Sequence, residues 1–242
     1  MFLNPYRFGA GAATDPLFSF VKFGANFTGT NGATTATDFS TSARVISFAD
    51  NAQISTAEST FGAGSSLALD GNGDYVNMPD SADWAPGSSV DFCWEFVVKI
   101  DGNIAGNMDI LSHAPAAGVY PIRIYRLANA NGGLGALVFN SSSSLIGNLT
   151  GGSIPDSTWT HIAVVREGGE LRLKIGGSHI ASQTIGTAAL FDASDTMKIG
   201  TYNPPNANGF KGWVQSARYT LGNARYTGTG SYTPPAALFP TS

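Results

Sequence analysis

Residues 159–177 read WTHIAVVREGGELRLKIGG. In an extended chain Trp159, His161, Ala163 and Val165 share one face, and Thr160, Ile162, Val164 and Arg166 share the other. Glu167, Gly168, Gly169 and Glu170 interrupt the pattern, and Leu171, Leu173 and Ile175 resume it with Arg172 and Lys174 between them. Two period-2 runs joined by a short Gly-Gly loop predict a β-hairpin. The first run is apolar on both faces, the pattern of a strand covered on both sides. The hairpin therefore belongs at or near the middle of a β-sandwich.

Working outward, the alternation recurs. Phe92, Trp94, Phe96, Val98 and Ile100 alternate with Cys93, Glu95, Val97 and Lys99, which predicts another core strand. Shorter strands are expected at 17–23, 44–49, 67–69, 75–78, 110–112, 122–125, 136–139, 180–184, 197–200 and 213–219. Asp70-Gly71-Asn72-Gly73-Asp74 holds both Asp-Gly and Asn-Gly, so 67–69 and 75–78 are read as the arms of a second hairpin. No helical period is sustained over ten residues, and 191–195 has room for one helical turn. Turn signals every 8–12 residues with no long linker predict one all-β sandwich or barrel. Residues 1–15 have aromatic anchors (Phe2, Tyr6, Phe8) without a period and read as an arm. The Pro-rich tail is read as extended.

Composition agrees and excludes several functions. The 242 residues include 30 Gly and 12 Pro, 43% are hydrophobic, and only 12% are charged, roughly half the usual share. The net charge is -4 with no basic run, so a nucleic-acid footprint is missing. No segment reaches the ~18 apolar residues of a membrane span. The N-terminus lacks the pattern of an ordinary secretory signal. Cys93 is the single cysteine, so no intramolecular disulfide can form, and synthesis in a reducing host cytoplasm is expected.

The order of landmarks resembles the concanavalin A-like jelly rolls, especially their laminin-G-like (pentraxin-like) branch. The motifs that carry the resemblance are SSLALDGNGDYVNMP at 65–79, DFCWEFVVKID at 91–101, WTHIAVVREGGELRLKIGG at 159–177, MKIGT at 197–201 and FKGWVQSARYTLGNARYTG at 210–228. It implies a two-sheet antiparallel β-sandwich over about 16–240, with a carbohydrate or protein site on one face or in the edge loops. The closing ARYTG, followed by TPP and LFP, looks like the version found in bacteriophage and marine viral virion proteins. Where many members carry an acidic pair near the C-terminus, this chain has Gln215 and Ser216.

The candidate chemistry is sparse. Glycanases of this fold use paired carboxylates at alternate positions of one strand, about 5 Å apart in retaining enzymes. Of the four glutamates (Glu58, Glu95, Glu167 and Glu170), only Glu95 lies on a core strand, with no acid two or four residues away. No catalytic site is assigned. Asp70, Asn72 and Asp74 offer alternate oxygens that could begin a calcium loop. The competing reading is a turn whose side chains satisfy their own backbone. No other cofactor is implied. His113, His161 and His179 are too dispersed for a zinc site. For sugar binding, exposed aromatics beside amides are needed, and Trp84, Tyr202 with Asn203, and Trp213 fit. Trp94 and Trp159 are expected in the core.

These readings lead to a non-enzymatic virion surface protein, a capsid decoration protein, head fibre or tail-fibre module displaying a lectin-like domain. Its expected partners are a major capsid or tail protein and copies of itself, a trimer among the symmetric choices. Phe2, Tyr6 and Phe8 of the arm, and the tail 228–242, would make those contacts. A carbohydrate-binding module for host or environmental glycans is the alternative, and a glycan hydrolase is the third and least supported reading.

Overall fold

The computed structural model describes residues 14–102, 106–114, 119–129, 131–202 and 209–242. The arm anchors Phe2, Tyr6 and Phe8, and Asn203, lie outside the described residues. Among the described residues, fifteen strands build two antiparallel sheets packed face to face. The first, sheet A, runs in the order β13 (Ser178–Thr184), β12 (Glu170–Ile175), β11 (Thr160–Glu167), β6 (Phe92–Ile100), β15 (Lys211–Leu221), β4 (Ser66–Asp70) and β3 (Gln53–Ser55). The first strand, β1 (Val21–Asn26), pairs with the far half of β15, beyond the part that β4 occupies. Sheet B runs β10 (Leu145–Gly151), β9 (Leu134–Phe139), β8 (Ile122–Arg126), β7 (Met108–Ser112), β14 (Met197–Ile199), β5 (Tyr75–Met78) and β2 (Ser47–Ala49). This is the all-β jelly-roll sandwich expected from the alternation.

The hairpin 159–177 forms as read. Gly168 and Gly169 both take positive φ (57° and 85°), which a two-residue turn of the primed kind requires and side-chain-bearing residues resist. Ile162 and Val164 face the inter-sheet core with Trp94, Phe96, Val98, Leu171 and Leu173. The opposite face of the same strands is covered too. Cys93, Ala163 and Val165 pack under Ala224 and Tyr226. The covering layer comes from the chain's last segment rather than from a third sheet. Cys93 is fully buried, and desolvation pushes its thiol well above the ordinary range, so it is inert.

Several expectations need correction. Residues 70–74 are not a hairpin turn: β4 lies in sheet A and β5 in sheet B, so the loop passes between layers. The first strand begins at Val21 rather than Leu17, after a single 3-10 turn at Phe18–Phe20. Residues 191–195 form no helical turn. Two strands without strong alternation, β3 and β10, had given no sequence signal. The tail 228–242, read as extended, lies along its own domain. Tyr232 N–H donates to Gly177 O (2.8 Å), Phe239 is buried, and Ser242 O accepts from Asp15 N–H (2.9 Å).

Candidate functional site

Strand register decides which side chains meet on the outer face of sheet A. Pairing aligns Gln53 with Ala68, Ala68 with Trp213, and Trp213 with Lys99. Residues two apart on a strand share a face, so the adjoining rung brings Asp70, Lys211 and Asp101 beside them. The result is a shallow depression of about 320 Å³ with Trp213 at one wall and Asn51, Gln53, Asp70, Asp101 and Lys211 around it. Trp213 is half-buried and Gln53, Asp70 and Asp101 are exposed. Lys99 Nζ stands 5.6 Å from the Trp213 ring centroid and pairs with Glu58 at 2.6 Å, and Lys211 pairs with Asp101 at 3.4 Å. An indole framed by amide, carboxylate and ammonium groups can stack on an apolar ring face while exchanging hydrogen bonds with a hydroxylated rim.

Next to it, on the same face, lies a second groove of about 450 Å³ lined by Phe61, Val97, Trp159, His161, Pro234 and Pro235 among others. Trp159 is half-exposed rather than a core residue. Its position was legible, since it shares a face with His161 and that face is opposite the core residues Ile162 and Val164. Gln215 Oε1 accepts from Thr60 N–H (2.9 Å) and its Nε2 donates to Ser65 O (3.0 Å), holding the 56–65 loop to the sheet. A neutral amide that both donates and accepts suits this task, where a carboxylate could not donate.

Of the residues singled out from sequence, Trp213, Asp70 and Asp74 come together here. Asp74 is itself buried, with Oδ1 accepting from Asn51 N–H (2.8 Å) and Oδ2 from Asp70 N–H (2.9 Å); burial raises its pKa. Asp70 Oδ1 accepts from Asn72 N–H (2.7 Å). Both Asp74 oxygens and Asp70 Oδ1 are thus engaged by backbone N–H groups, as the turn reading of this loop has it. Among the described residues no group of three His, Cys, Asp or Glu is arranged to hold a metal.

Trp84 is a correction. It is only 1% exposed, its Nε1 donates to Pro79 O (3.0 Å), and its ring packs on Trp94 and Tyr219 with the Arg44 guanidinium 4.3 Å above. It caps the core and presents no platform. Tyr202 sits on the outer face of sheet B, 4.4 Å from the Arg123 guanidinium and edge-on to Tyr120. Arg123 in turn donates from Nε to Asp109 Oδ1 (2.6 Å), a carboxylate with no exposure whose Oδ2 has no partner. Desolvation pushes the Asp109 pKa up to about 6.

Glu95, the glutamate in the middle of β6, is sealed beneath the tail. It accepts from Arg218 Nε (2.8 Å), His161 Nε2 (3.1 Å) and the Tyr226 hydroxyl (2.6 Å). Asp15 converges on the same cluster, taking Arg218 at 2.9 Å and Arg225 at 2.6 Å. Burial alone would raise both acids, yet the surrounding cations and hydrogen bonds hold both below the ordinary carboxylate range. Two depressed carboxylates shut away from solvent make an ion cluster, not a general acid and its base.

A laminin-G-type family model, described as the concanavalin A-like lectin/glucanases superfamily, matches residues 70–219, more than half of the chain. The chain belongs to this superfamily. A search of curated protein sequences finds no match. Among solved structures, domain 4 of AbnA, a GH43 extracellular arabinanase from Geobacillus stearothermophilus in complex with arabinotriose, has a TM-score of 0.55 at 15% identity, covering 84% of this chain and 93% of that one. The binding domain of botulinum neurotoxin DC in complex with SialylT gives 0.59 at 13%, covering 84% and 48%. Trypanosoma rangeli sialidase in complex with the inhibitor DANA gives 0.55 at 16%, covering 81% and 30%. This lectin-like chain thus spans about half of the toxin domain and less than a third of the sialidase. At such identities the likeness is one of fold.

Proposed function

We propose that this chain is a non-catalytic carbohydrate-binding domain whose glycan site is the Trp213 face of sheet A. The observation that carries the reading is the rung Gln53–Ala68–Trp213–Lys99, which sets a half-buried indole among amide and charged groups on open sheet. The arabinotriose complex of the arabinanase domain, similar in fold over nearly its whole length, supports the class of ligand. The absence of catalysis is supported by the sealed state of Glu95 and Asp15. The test is a glycan array with wild type and Trp213→Ala. Binding to a glycan that the variant loses, with an unchanged melting temperature, is the expected result. Equal binding by the two proteins removes the site from this face.

A second, compatible reading concerns where the domain is displayed. The ARYTG element and the low charged share support a bacteriophage virion surface module, on capsid or tail, as a homo-oligomer with capsid or tail proteins as partners. In this structure Ala224 and Tyr226 of that element serve the domain's own back layer, so particle contacts would fall to other surfaces. Mass spectrometry of purified particles decides it: peptides of this chain support display, and their absence from intact particles refutes it.

A further inference from the structure

We infer that the ligand is an uncharged oligosaccharide of at least three units that lies across the strands, with Trp159 as a second stacking platform beside Trp213. The inference rests on the glycan reading above and adds to it the ligand's length, direction and charge.

Register supplies the geometry. Thr160 pairs with Val98, so continuing the ladder by one step sets Trp159 opposite Lys99, as Trp213 is on the other side. Both tryptophans lie against outward-facing residues of the sheet, Trp213 beside Ala68 and Trp159 beside Val97 and His161. Adjacent strands are about 4.8 Å apart, so the two backbone positions are separated by about 10 Å in the direction perpendicular to the strands. One sugar on each indole leaves room for a unit between them, above Lys99 and Glu58. That pair is 2.6 Å apart, with side chains 15% and 34% exposed, and so offers one donor and one acceptor to the middle unit.

Trp159 contributes a second and independent sign of a ligand. Its Nε1 is buried and has no acceptor. A buried donor left unpaired costs on the order of 1–3 kcal/mol, and a turn of the indole that brings Nε1 to the groove would let a ligand hydroxyl relieve it. Ser153, Thr158 and Thr160 line the same groove with hydroxyls. Charge decides between neutral and acidic glycans. Lys99 is taken by Glu58 and Lys211 by Asp101, while Asp70 adds a further negative group, so among the described residues no unpaired cation on this floor awaits a carboxylate.

The experiment is calorimetric titration of the full chain with mono- to hexasaccharide ladders of β-linked glucan, mannan and xylan and of arabinan, with sialyllactose as the acidic probe. The expected result is at least tenfold tighter binding of the trisaccharide than of the monosaccharide in one ladder. Trp159→Ala should abolish that gain while keeping the weak monosaccharide binding, and Trp213→Ala should remove both. Trp159→Phe keeps the platform without the N–H and should recover part of the gain, which also guards against a misfolded alanine variant. Trp213-dependent binding that does not vary with length, or an unchanged hexasaccharide affinity in Trp159→Ala, overturns this inference and leaves the glycan reading standing. Tighter binding of sialyllactose than of every neutral ladder overturns the assignment of charge. No binding by any probe overturns both readings.

Discussion

One strand passes through two chemical environments on one face. Along β6, Cys93, Glu95, Val97 and Lys99 point outward from sheet A. The first three are essentially unexposed: Ala224 and Tyr226 lie over Cys93 and Glu95, and Val97 forms the floor of the second groove beside Phe61, Pro234 and Pro235. Lys99 lies beyond that cover and meets solvent beside Trp213. Under the tail the central polar groups are paired inward: Glu95 with three donors, His161 with Glu95 and the Tyr232 hydroxyl (2.7 Å), Lys174 with Gly228 O (2.6 Å). Beyond the tail, the charges pair only with each other at the surface and an indole is left half-open. The comparison teaches that the tail's extent, more than the sheet's own sequence, decides which part of this face is available to a ligand.

The largest effect should come from breaking the covered half. Glu95→Gln removes the negative charge that Arg218 and Arg225 are buried to meet, at a cost of about 3–5 kcal/mol. Chemical denaturation at neutral pH measures it. The sign with pH follows from the carboxyl's depressed folded pKa. Its contribution is present above the unfolded value of 4.5 and is lost as pH falls below that, so the variant should show a flatter acid limb than wild type. A loss below ~1 kcal/mol would mean that water already reaches the cluster.

Asp109 sharpens the contrast from the other sheet. It too is buried against an arginine, but with a single charged partner and an unpaired Oδ2, and its pKa is raised from 3.8 to about 6. The folded state therefore holds the proton to higher pH than the unfolded chain. Wild-type stability should fall between pH ~4 and ~6, by about 3 kcal/mol for a shift of this size. Asp109→Asn cannot titrate, so whatever constant penalty it carries, its stability relative to wild type should improve by about that amount from pH 4 to pH 7. A constant gap across this range would refute the buried, unsatisfied state.

Tyr226→Phe probes the cover itself. The hydroxyl donates to Glu95 Oε2 at 2.6 Å, a charge-assisted bond worth about 1.5–3 kcal/mol. Beyond the stability loss, amide exchange in 222–242 should quicken while the open half of the face is unchanged. Exchange that stays slow throughout the tail would show that the cover does not depend on this anchor.

Much of the sandwich was legible in the chain and most of the site was not, for physical reasons. Phe92 to Ile100 alternates strictly, so its limits and its core face could be read directly. Asp70 to Asp74 announces a reversal through its glycines, but local turn chemistry cannot say which sheet the next strand joins. Trp84 sits in a polar, Pro-flanked stretch that reads as surface, and only its contacts with Trp94 and Tyr219 bury it. Trp213 was identified as a candidate, yet its neighbours Gln53, Lys99 and Glu58 reach it only through strand pairing. The tail has no period at all. Tyr226, Tyr232 and Phe239 act on Glu95, His161 and Asn26, partners 131, 71 and 213 positions away.

The smallest predicted effect tests the open half. Lys99 and Glu58 make an ion pair as short as that of Arg225 with Asp15, so distance alone would rank it with the Glu95 cluster. Exposure argues otherwise. Solvent screens the pair, its two long side chains lose rotamer freedom to hold it, and exposed pairs measure 0.2–1 kcal/mol in double-mutant cycles. A cycle of Lys99→Ala and Glu58→Ala should give a coupling below ~1 kcal/mol that shrinks further in high salt. The matching cycle of Glu95→Ala and Arg218→Ala should give a coupling several times larger and nearly indifferent to salt. If the two couplings were equal, the covered and open halves would share one effective dielectric. The tail would then not be what divides this face, and the case for Trp213 as its exposed, ligand-ready end would lose its physical basis.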